Sequence, residues 1–374
     1  MIPTRVYSET LLEFLAPVRA FIEDATVSEV MINGPGQIYV ERRGKLERVP
    51  VRFPGAESIL CALNNAAQFV GKPLDEQHPI LEARMPDGSR LQAVIPPAAP
   101  DGPYVSIRRF STATFSPEKL IAGGSLTQEA CDTLQALVIA KFNVLVAGGT
   151  GSGKTSFLNM LTQFVPEGER IGVIEDSREV QVQREHVFYL EARPPDTRGR
   201  GAVSIRDLFR ATLRMRPDRI IIGEIRGGEA LDIIQAMVSG HGGCLGTLHA
   251  THPRDTLTRL ETMSMMSDVQ MPLVALRLQI ASGVNFIAQV ARYRDGTRKL
   301  THLTEVLGVD METGRYQLRD IFVRHHFGED GSGHLASQLT PTGHLPSQLE
   351  QLAQHGTRLP EAVLAAAEKT GAPA

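Results

Sequence analysis

The clearest chemical pattern in this sequence lies between Asn143 and Phe157. An apolar, β-branched run ends at Gly148, and the residues that follow complete the pattern G-x-x-x-x-G-K-[ST] between a predicted strand and a predicted helix. Glycines let backbone N–H groups surround phosphate oxygens, and the helix N-terminus adds partial positive charge. The pattern predicts a nucleoside triphosphate site formed by Gly148, Gly149, Thr150, Gly151, Ser152, Gly153, Lys154, Thr155 and Ser156.

Two of these side chains have specific tasks in such a loop. The ammonium group of Lys154 reaches the β- and γ-phosphates, and the hydroxyl of Thr155 ligates the Mg²⁺ that accompanies the nucleotide. A glycine-rich turn that contains a lysine by chance is the alternative. The agreement of strand, loop, Lys-Thr pair and helix argues against it.

Hydrolysis also needs acids, and two predicted strand ends supply them. Glu175 and Asp176 end one strand, at the edge where an open α/β sheet places its ligands. Glu224 follows the strand 219–222, and Gly223 stands where an Asp would ordinarily hold the metal. We expect Glu224 to polarise the attacking water and the Glu175–Asp176 pair to compensate at the metal. The predicted Mg²⁺ ligands, some acting through water, are Thr155, Glu175, Asp176 and Glu224; ordinary strand-end carboxylates remain the alternative for the acids.

Histidines and arginines are weaker candidates when judged by spacing alone. His241 precedes a predicted strand and His249 ends it, but lone histidines are more often structural, and no further ligands stand at metal-site spacing. Arginine side chains stabilise charge on a transferred phosphoryl group, often from a neighbouring subunit. The candidates are Arg210 and Arg214, one helical turn apart, and Arg90 and Arg108 in predicted strands nearer the N-terminus. Surface arginines that bridge to acids are the alternative.

Composition limits the classes of protein that fit. The 374 residues are 42% hydrophobic and 22% charged, with a formal net charge of -3, so nothing global indicates nucleic-acid binding or a polybasic membrane anchor. Three scattered cysteines predict neither a disulfide framework nor a zinc site. No apolar run is long enough to span a bilayer, and acidic residues interrupt the N-terminal region where a signal peptide would lie. We expect a cytoplasmic protein that docks on a membrane partner.

The pattern of elements changes along the chain. Residues 1–111 predict a small α+β domain with an opening helix and antiparallel strands, and residues 112–127 predict a linker. Residues 128–374 alternate helices with short apolar strands, which indicates a doubly wound, mostly parallel α/β sheet. We expect its strands near 144–147, 171–174, 187–190, 219–222 and 244–247, and a hairpin-like tail at 286–323.

Four blocks of sequence, in order, resemble the secretion ATPase superfamily of type II and type IV secretion. They are GGTGSGKT, VIEDSREV, LRMRPDRIIIGEIRGGEA and GHGGCLGTLHATHPRDTLTRLE, similar to its Walker A, Asp box, atypical Walker B and His box. The segments SEVMINGPGQIYVERRGKLE and DGPYVSIRRF are most similar to the Tad-type pilus assembly ATPases. The sequence starts almost directly at its first domain and has no tetracysteine zinc element, which favours that branch over the type II branch.

The resemblance implies a RecA-like ATPase domain, ATP and Mg²⁺ as cofactors, a homo-hexameric ring and an inner-membrane platform protein as partner. It also implies roles for individual residues. Glu224 matches the catalytic glutamate, Glu175 with Asp176 the Asp-box acids, and His249 a histidine near the γ-phosphate, with His241 in the loop before it. Arg210 and Arg214 match a phosphate-contacting pair, and Arg90 and Arg108 match arginines that close over the nucleotide.

Three other functions remain open. Within the superfamily, the motifs do not separate pilus assembly from type IV secretion or pilus retraction. A nucleic-acid translocase is a second alternative, because Arg193, Arg198, Arg200 and Arg206 could line a pore. The lack of aromatic residues for base stacking in that loop argues against it. The third is a nucleotide-gated scaffold without productive hydrolysis, which the presence of the acids and arginines makes the less favoured reading.

Overall fold

The computed structural model describes residues 4–42, 44–110, 116–195, 199–329 and 335–370. Contacts between residues divide the chain into two compact units. The first comprises Met1–Ala113 and Pro195–Ala202, and the second comprises Thr114–Pro194 and Val203–Ala374. The domain boundaries predicted from the sequence concern segments that fold independently. A division by contacts does not measure independent folding, so those boundaries stay a prediction.

The first unit is an antiparallel sheet with helices on one face. Its helices are α1 (Thr4–Phe14), α2 (Ala16–Glu23) and α3 (Ala56–Val70). Its strands are β1 (Val27–Asn33), β2 (Ile38–Arg42), β3 (Lys45–Val49), β4 (Ile80–Arg84), β5 (Arg90–Val94) and β6 (Tyr104–Arg108). They are ordered β3-β2-β1-β6-β5-β4, and every neighbouring pair is antiparallel.

Alternation along these strands explains the one-sided core. Leu91 and Ala93 of β5 are buried with Leu63 of α3, whereas the residues between them face away. The single opening helix predicted from the sequence is two helices in the structure, α1 and α2. The break falls at Leu15, and Pro17 lies in the first turn of α2, where its missing N–H leaves no hydrogen bond unmade.

The second unit contains the remaining elements. Its helices are α4 (Pro117–Ala122), α5 (Gln128–Ile139), α6 (Lys154–Thr162), α7 (Ile205–Thr212), α8 (Glu229–Val238), α9 (Pro253–Ser264), α10 (Leu273–Gly283), α11 (Leu349–Gln354) and α12 (Glu361–Thr370). Its strands are β7 (Val144–Gly148), β8 (Ile171–Glu175), β9 (Val187–Glu191), β10 (Arg219–Ile222), β11 (Leu245–His249), β12 (Phe286–Arg292), β13 (Arg298–Val309), β14 (Tyr316–Glu329) and β15 (Leu335–Pro341).

These strands form one nine-stranded sheet in the order β15-β14-β13-β12-β7-β11-β10-β8-β9. The strands from β12 to β9 are parallel, and β13, β14 and β15 extend the sheet in antiparallel fashion. The prediction of a doubly wound, mostly parallel sheet is confirmed. The predicted hairpin-like tail is corrected in one respect, because β12 pairs in parallel with the central β7 and so belongs to the main sheet.

Both faces of the parallel region are covered by apolar side chains. Val144 and Val146 of β7 belong to the core on one face, and Leu145 and Ala147 belong to the core on the other. A strand buried on both faces needs a continuous apolar run, which is what the sequence shows before the phosphate-binding pattern. The sheet therefore provides a rigid base for the loop that follows β7.

Part of the predicted linker is helical. Ser116 accepts a hydrogen bond from the backbone N–H of Lys119, and Pro117 occupies the first turn of α4. Residues 111–115 of that segment lie outside the described part of the chain. Among the helices that the structure describes, none is long and apolar enough to cross a membrane.

Candidate nucleotide site

The loop between β7 and α6 has backbone geometry that its glycines make possible. Gly151 and Gly153 have φ angles of 68° and 91°, in the left-handed region that disfavours other residues. A Cβ on Gly148 would lie 2.4 Å from the hydroxyl oxygen of Ser152 and 2.5 Å from the carbonyl oxygen of Val290. The loop therefore closes tightly against the sheet, in the form the sequence pattern predicts.

The two side chains that the sequence pattern assigns to phosphate and Mg²⁺ binding lie at the start of α6. The Nζ of Lys154, the first residue of the helix, donates to the carbonyl oxygen of Gly149 at 3.0 Å and lies 3.2 Å from Nε2 of His249. The hydroxyl of Thr155 donates to Oε2 of Glu179 at 3.4 Å. Lys154 thus contacts the end of β11, the strand next to β7, and Thr155 contacts the loop that follows β8.

Parallel strands bring the predicted acids to one edge of the sheet. Glu175 is the last residue of β8, His249 is the last of β11, and Glu224 follows β10, which lies between these two strands. Since β7 is the other neighbour of β11, the phosphate loop emerges at the same edge. Nε2 of His249 lies 2.9 Å from Oε1 of Glu224.

Arg226 joins two of the predicted acids. Its guanidinium donates to Oε2 of Glu224 and, at 3.1 Å, to Oδ2 of Asp176. Arg226 was not among the residues predicted from the sequence, although it stands two residues after Glu224 in the block that carries the resemblance. Contacts therefore run from Lys154 through His249, Glu224 and Arg226 to Asp176.

The charge state of Glu224 follows from these neighbours. Burial alone raises the pKa of its carboxyl, but the hydrogen bond from Arg226 and the charges of Arg226 and Lys154 outweigh burial. The net pKa of Glu224 lies below its ordinary value. The carboxyl is therefore ionised at neutral pH and can accept a proton or orient a water molecule.

His249 is neutral in the same surroundings. Burial lowers the pKa of its imidazole, the charge of Lys154 lowers it further, and the opposing charge of Glu224 does not compensate. A neutral ring that donates from Nε2 to Glu224 leaves Nδ1 as an acceptor, and Nδ1 lies 3.4 Å from Nζ of Lys154. His249 can thus connect the cation of the phosphate loop to the carboxylate without adding a charge.

Glu175 takes the space that Gly223 leaves. A Cβ on Gly223 would lie 2.6 Å from Cγ and 2.8 Å from Oε1 of Glu175. The same Oε1 accepts the backbone N–H groups of Glu179 and Val180, each at 3.0 Å. The carboxylate absent from the β10 strand end is therefore replaced in space by one from β8, held in place by backbone donors.

Oxygen ligands for Mg²⁺ are available near the loop. Mg²⁺ is usually held by one or two protein oxygens together with phosphate and water oxygens. Thr155 and Glu179 provide a hydroxyl and a carboxylate in contact with each other, and Glu175 binds the loop that carries Glu179. This donor set fits Mg²⁺. Glu179 was missed in the sequence, where it follows the Glu175–Asp176 pair and reads as a loop residue. The described residues contain no cluster of three or more His, Cys, Asp or Glu placed to hold a metal.

Two arginines from distant parts of the sequence support the phosphate loop. Nε of Arg298, at the start of β13, donates to the carbonyl oxygen of Gly151 at 2.8 Å. A Cβ on Gly151 would lie 3.1 Å from Nη1 of Arg292. A cavity of about 270 Å³ adjoins the loop at Gly153 and Ser156. Its other lining residues include Leu120, Phe157, Val290 and Leu300. No local pattern could reveal the two arginines, because they approach the loop only through the pairing of β12 with β7.

Of the predicted arginine pair, Arg210 lies on α7 and Arg214 follows that helix. Nε of Arg210 pairs with Oδ1 of Asp232 on α8 at 2.9 Å, and Asp232 also binds Arg206 at 2.6 Å. Arg214 follows α7 and precedes β10, so it lies toward the amino end of that strand, away from Glu224. A helix that returns to the start of a parallel strand moves its last turn away from the carboxyl edge. The phosphate-contacting role of Arg210 and Arg214 stays a prediction. Arg198, part of the alternative arginine-lined pore, lies outside the described residues.

The structure separates the two predicted histidines. His249 ends β11 at the phosphate edge, whereas His241 precedes that strand at the opposite edge. His241 there lines a polar cavity of about 180 Å³ with Lys141, Asp218 and Arg219. A five-residue strand separates its ends by roughly 13–17 Å, so His241 is not brought to the phosphate loop. Within this chain His241 does not lie beside Lys154, and its part in the site stays a prediction.

Arg90 and Arg108 lie in the first unit, directly opposite each other on β5 and β6. Both are on the face of the sheet that α1, α2 and α3 leave uncovered, because the residues that alternate with them are buried. Their predicted part in nucleotide binding stays a prediction.

Comparison with known proteins places the chain in a family. Residues 12–318 match the family model described as type II/IV secretion system protein. The chain is 33% identical over 282 residues to the putative conjugal transfer protein Rv3659c of Mycobacterium tuberculosis, covering 74% of this chain and 80% of that protein. It is 33% identical over 303 residues to the type IV secretion system protein PtlH of Bordetella pertussis, covering 74% of this chain and 89% of that protein.

The X-ray structure of the Legionella pneumophila ATPase DotB superposes with a TM-score of 0.55 at 17% identity, over 96% of this chain and 87% of that one. The superposition confirms the predicted RecA-like fold. The family model and the relatives at 33% identity confirm the predicted superfamily. The closer link to the Tad-type branch stays a prediction. A phosphate loop at the carboxyl edge of a parallel sheet, the matching acids and the family model lead to one conclusion: this chain belongs to the type II/IV secretion system protein family.

Proposed function

We propose that this chain is a Mg²⁺-dependent ATPase that works as a homo-hexamer. In this proposal, ATP-driven domain motion powers the assembly of a Tad-type or type IV-like pilus or of a secretion machine. The observation that carries the ATPase assignment is the contact series Lys154–His249–Glu224. Nζ of Lys154 lies 3.4 Å from Nδ1 of His249, and Nε2 of the same ring lies 2.9 Å from Oε1 of Glu224. It couples a cation that binds phosphate to an ionised carboxylate that can activate water. Family membership supports the same assignment.

The residues divide the work of hydrolysis. Glu224 orients the attacking water and accepts its proton. His249 holds the Glu224 carboxylate in position relative to the phosphate loop. Lys154 and the N–H groups at the start of α6 stabilise negative charge on the phosphate oxygens. Arg226 keeps Glu224 ionised. Thr155 together with Glu179 or Glu175 would hold Mg²⁺, which would neutralise charge on the phosphates when bound.

The cavity beside the loop accommodates the rest of the nucleotide. It lies next to Gly153 and Ser156, and its wall combines apolar side chains with the cationic residues Lys119, Arg298 and Lys299. Its volume of about 270 Å³ suits a planar base. We assign the base to this cavity, so that the phosphates reach the loop and the γ-phosphate points toward Glu224.

The proposed partner protein and the proposed cellular location rest on family membership. Secretion and pilus machines span membranes, and the chain would act on their cytoplasmic side, where ATP is available. An inner-membrane platform protein is the partner that would receive the motion. The proposed hexamer supplies the repeated, closed arrangement that such a motor needs.

A type IV secretion ATPase is the second candidate. The relatives at 33% identity are named as conjugal transfer and type IV secretion proteins, which favours it as an alternative to pilus assembly. Replacing the chromosomal gene with a Glu224→Gln allele separates the two. Loss of surface pili supports pilus assembly, and loss of secreted or transferred cargo with intact pili supports secretion.

The ATPase assignment is tested by steady-state ATP turnover with and without Mg²⁺. We expect Glu224→Gln to lower turnover roughly 10²–10⁴-fold while nucleotide binding is retained, because the general base is lost and the phosphate loop is intact. Glu167→Gln, an exposed acid outside the site, is the matched control and should turn over ATP like the wild type. Equal turnover in Glu224→Gln and the control would reject the assignment.

A further inference from the structure

The backbone leaves the sheet directly after His249, the last residue of β11. The partner of His249 on β7 is Gly148, where that strand also ends and the phosphate loop begins. Ala250 lies beyond this last residue pair, and it is buried. A buried backbone carbonyl needs a hydrogen-bond donor. The donor for Ala250 must therefore come from another part of the fold.

Gln289 supplies this donor from β12, two strands away from β11 in the sheet. Its Nε2 donates to the carbonyl oxygen of Ala250 at 3.0 Å. Gln289 is directly opposite Ala147 of β7, and Ala147 is directly opposite Leu248 of β11. Ala147 has only a methyl group, which leaves room for the longer side chain of Gln289 above it. The glutamine thus joins β12 to the residue that follows His249.

The side chain of Gln289 is on the face of the sheet that is turned away from the phosphate loop. Ala147 and Leu248, which lie in line with it across the sheet, belong to the core on one face. Successive residues of a strand point to opposite faces, so His249 is directed to the other face. Phe157 of α6, the helix that follows the phosphate loop, belongs to the core there. Gln289 therefore acts on His249 through the backbone.

The second polar atom of the Gln289 amide, Oε1, indicates that core packing does not explain this residue. Gln289 is 3% exposed, and Oε1 accepts no hydrogen bond from the described residues. A buried acceptor without a donor lowers stability, so an apolar side chain of similar size would suit this core as well or better. What the amide adds is its bond to Ala250, which fixes the backbone at the end of β11.

We propose that Gln289 is a positioning residue that holds His249 between Lys154 and Glu224. Nδ1 of the His249 ring lies 3.4 Å from Nζ of Lys154, and Nε2 lies 2.9 Å from Oε1 of Glu224. A shift of the backbone at His249 would lengthen one contact or the other. The expected effect on ATP turnover rests on the proposed function, whereas the expected effect on the position of the ring does not.

The first test compares steady-state ATP turnover by the full chain with that of two variants, Gln289→Leu and the matched control Gln351→Leu. Gln351 of α11 also donates its amide to an alanine carbonyl, that of Ala140 at 2.7 Å, which precedes β7 and lies away from the phosphate loop. We expect Gln289→Leu to lower kcat roughly 10–100-fold, because a small misplacement of a catalytic group has effects of this size. The KM for ATP should be unchanged, and Gln351→Leu should behave like the wild type.

A double variant tests whether the loss passes through His249. Residues that act as a unit show non-additive effects. Once the ring is absent, in His249→Ala, the further change Gln289→Leu should lower turnover little. An equal fold loss in the wild-type and His249→Ala backgrounds would overturn the inference.

Chemical modification reports the position of the ring without any need for ATP. Burial and the charge of Lys154 keep the pKa of His249 below its ordinary value, so the ring is neutral at about pH 8. The rate of its reaction with diethylpyrocarbonate at that pH then depends on its accessibility. Relative to the exposed His325 in the same molecule, we expect this rate to rise severalfold in Gln289→Leu and to be unchanged in Gln351→Leu.

The inference is overturned if His249 reacts in Gln289→Leu as it does in Gln351→Leu, whatever the effect on turnover. It is also overturned if the melting temperature of Gln289→Leu falls well below that of Gln351→Leu while kcat, KM and the reactivity of all histidines change together, which is the result of a general loss of packing.

Wild-type turnover separates this inference from the proposed function. Absent turnover, with a more reactive His249 in Gln289→Leu, rejects the ATPase and retains the positioning role. Normal turnover with an unchanged His249 does the reverse.

Discussion

The side chain of Glu175 fills the position that a Cβ on Gly223 would occupy, with Cγ only 2.6 Å from the Cβ site. Gly223 looks in the sequence like a defect, since the acid expected at the end of β10 is missing. In the fold, the neighbouring strand β8 delivers a carboxylate to that place, and two backbone N–H groups hold it. The glycine is a requirement of the Glu175 conformation.

This relationship predicts the effect of Gly223→Ala. The added methyl group would overlap the Glu175 side chain, and overpacking of this kind costs about 1–3 kcal/mol. We expect Gly223→Ala to lower both the free energy of unfolding and ATP turnover. Gly36→Ala is the control, because a Cβ there meets no atom within 4 Å. Both effects should shrink in the Gly223→Ala, Glu175→Ala double variant relative to Glu175→Ala; equal losses in the two backgrounds would refute the packing relationship.

Arg226 should set the acidic limit of activity. Its hydrogen bond and charge lower the pKa of Glu224 against the effect of burial. Glu224 acts as a base only when ionised, which holds at pH values above its pKa. In Arg226→Gln the pKa rises, so turnover should begin to fall at a higher pH during acidification, while Arg226→Lys should keep most of the wild-type profile. Superimposable pH–turnover curves for wild type and Arg226→Gln would show that Arg226 does not control Glu224.

His249 should titrate below the ordinary histidine value of about 6.5. Diethylpyrocarbonate reacts with neutral imidazole, so its rate at His249, located by fragment mass spectrometry, reports the pKa. Burial and the charge of Lys154 lower this pKa, and Glu224 raises it. We expect the pKa of His249 to rise in Lys154→Ala and to fall further in Glu224→Gln. A pKa above 6.5 in the wild type, or shifts of the opposite sign, would contradict the assigned contacts.

A buried ion pair at the start of β10, at the edge of the sheet opposite the phosphate loop, leads to a prediction about stability. The side chain of Arg219 is fully buried and pairs with Glu169, and its guanidinium also donates to the carbonyl oxygen of Val138 at 2.6 Å. Glu169→Gln leaves the buried cation without its charged partner, and loss of one member of a buried ion pair typically costs about 3–5 kcal/mol. Denaturant unfolding should show a loss of this size. Glu167→Gln, two residues away and exposed, should show almost none. A small loss in Glu169→Gln would mean that the pair is not needed to hold Arg219.

The sequence predicted the elements that depend on local pattern. The phosphate loop, the strands around it and the acids at their ends all follow from short runs of residues, because a parallel strand buried on both faces must be apolar and its loop must be glycine-rich. The doubly wound sheet followed from the same alternation of strands and helices.

What the sequence did not reveal depends on contacts between distant segments. Arg298 reaches the phosphate loop only because β12 pairs with β7 and β13 pairs with β12. His241 and His249 are separated because they lie at opposite ends of β11. Both occur in one short block of sequence, which does not show that the strand lies between them. The sequence alone does not show that Arg84 lies opposite Arg90; the register of β4 and β5 places it there.

We propose an ATPase that needs its hexameric assembly for turnover, and ATP turnover against protein concentration tests this most directly. The proteins to compare are wild type, Glu224→Gln, Arg108→Ala and a mixture of the two variants. We expect wild-type turnover per chain to rise cooperatively with concentration and the mixture to recover activity that neither variant has alone. Turnover strictly proportional to protein, with Arg108→Ala as active as wild type, would contradict it.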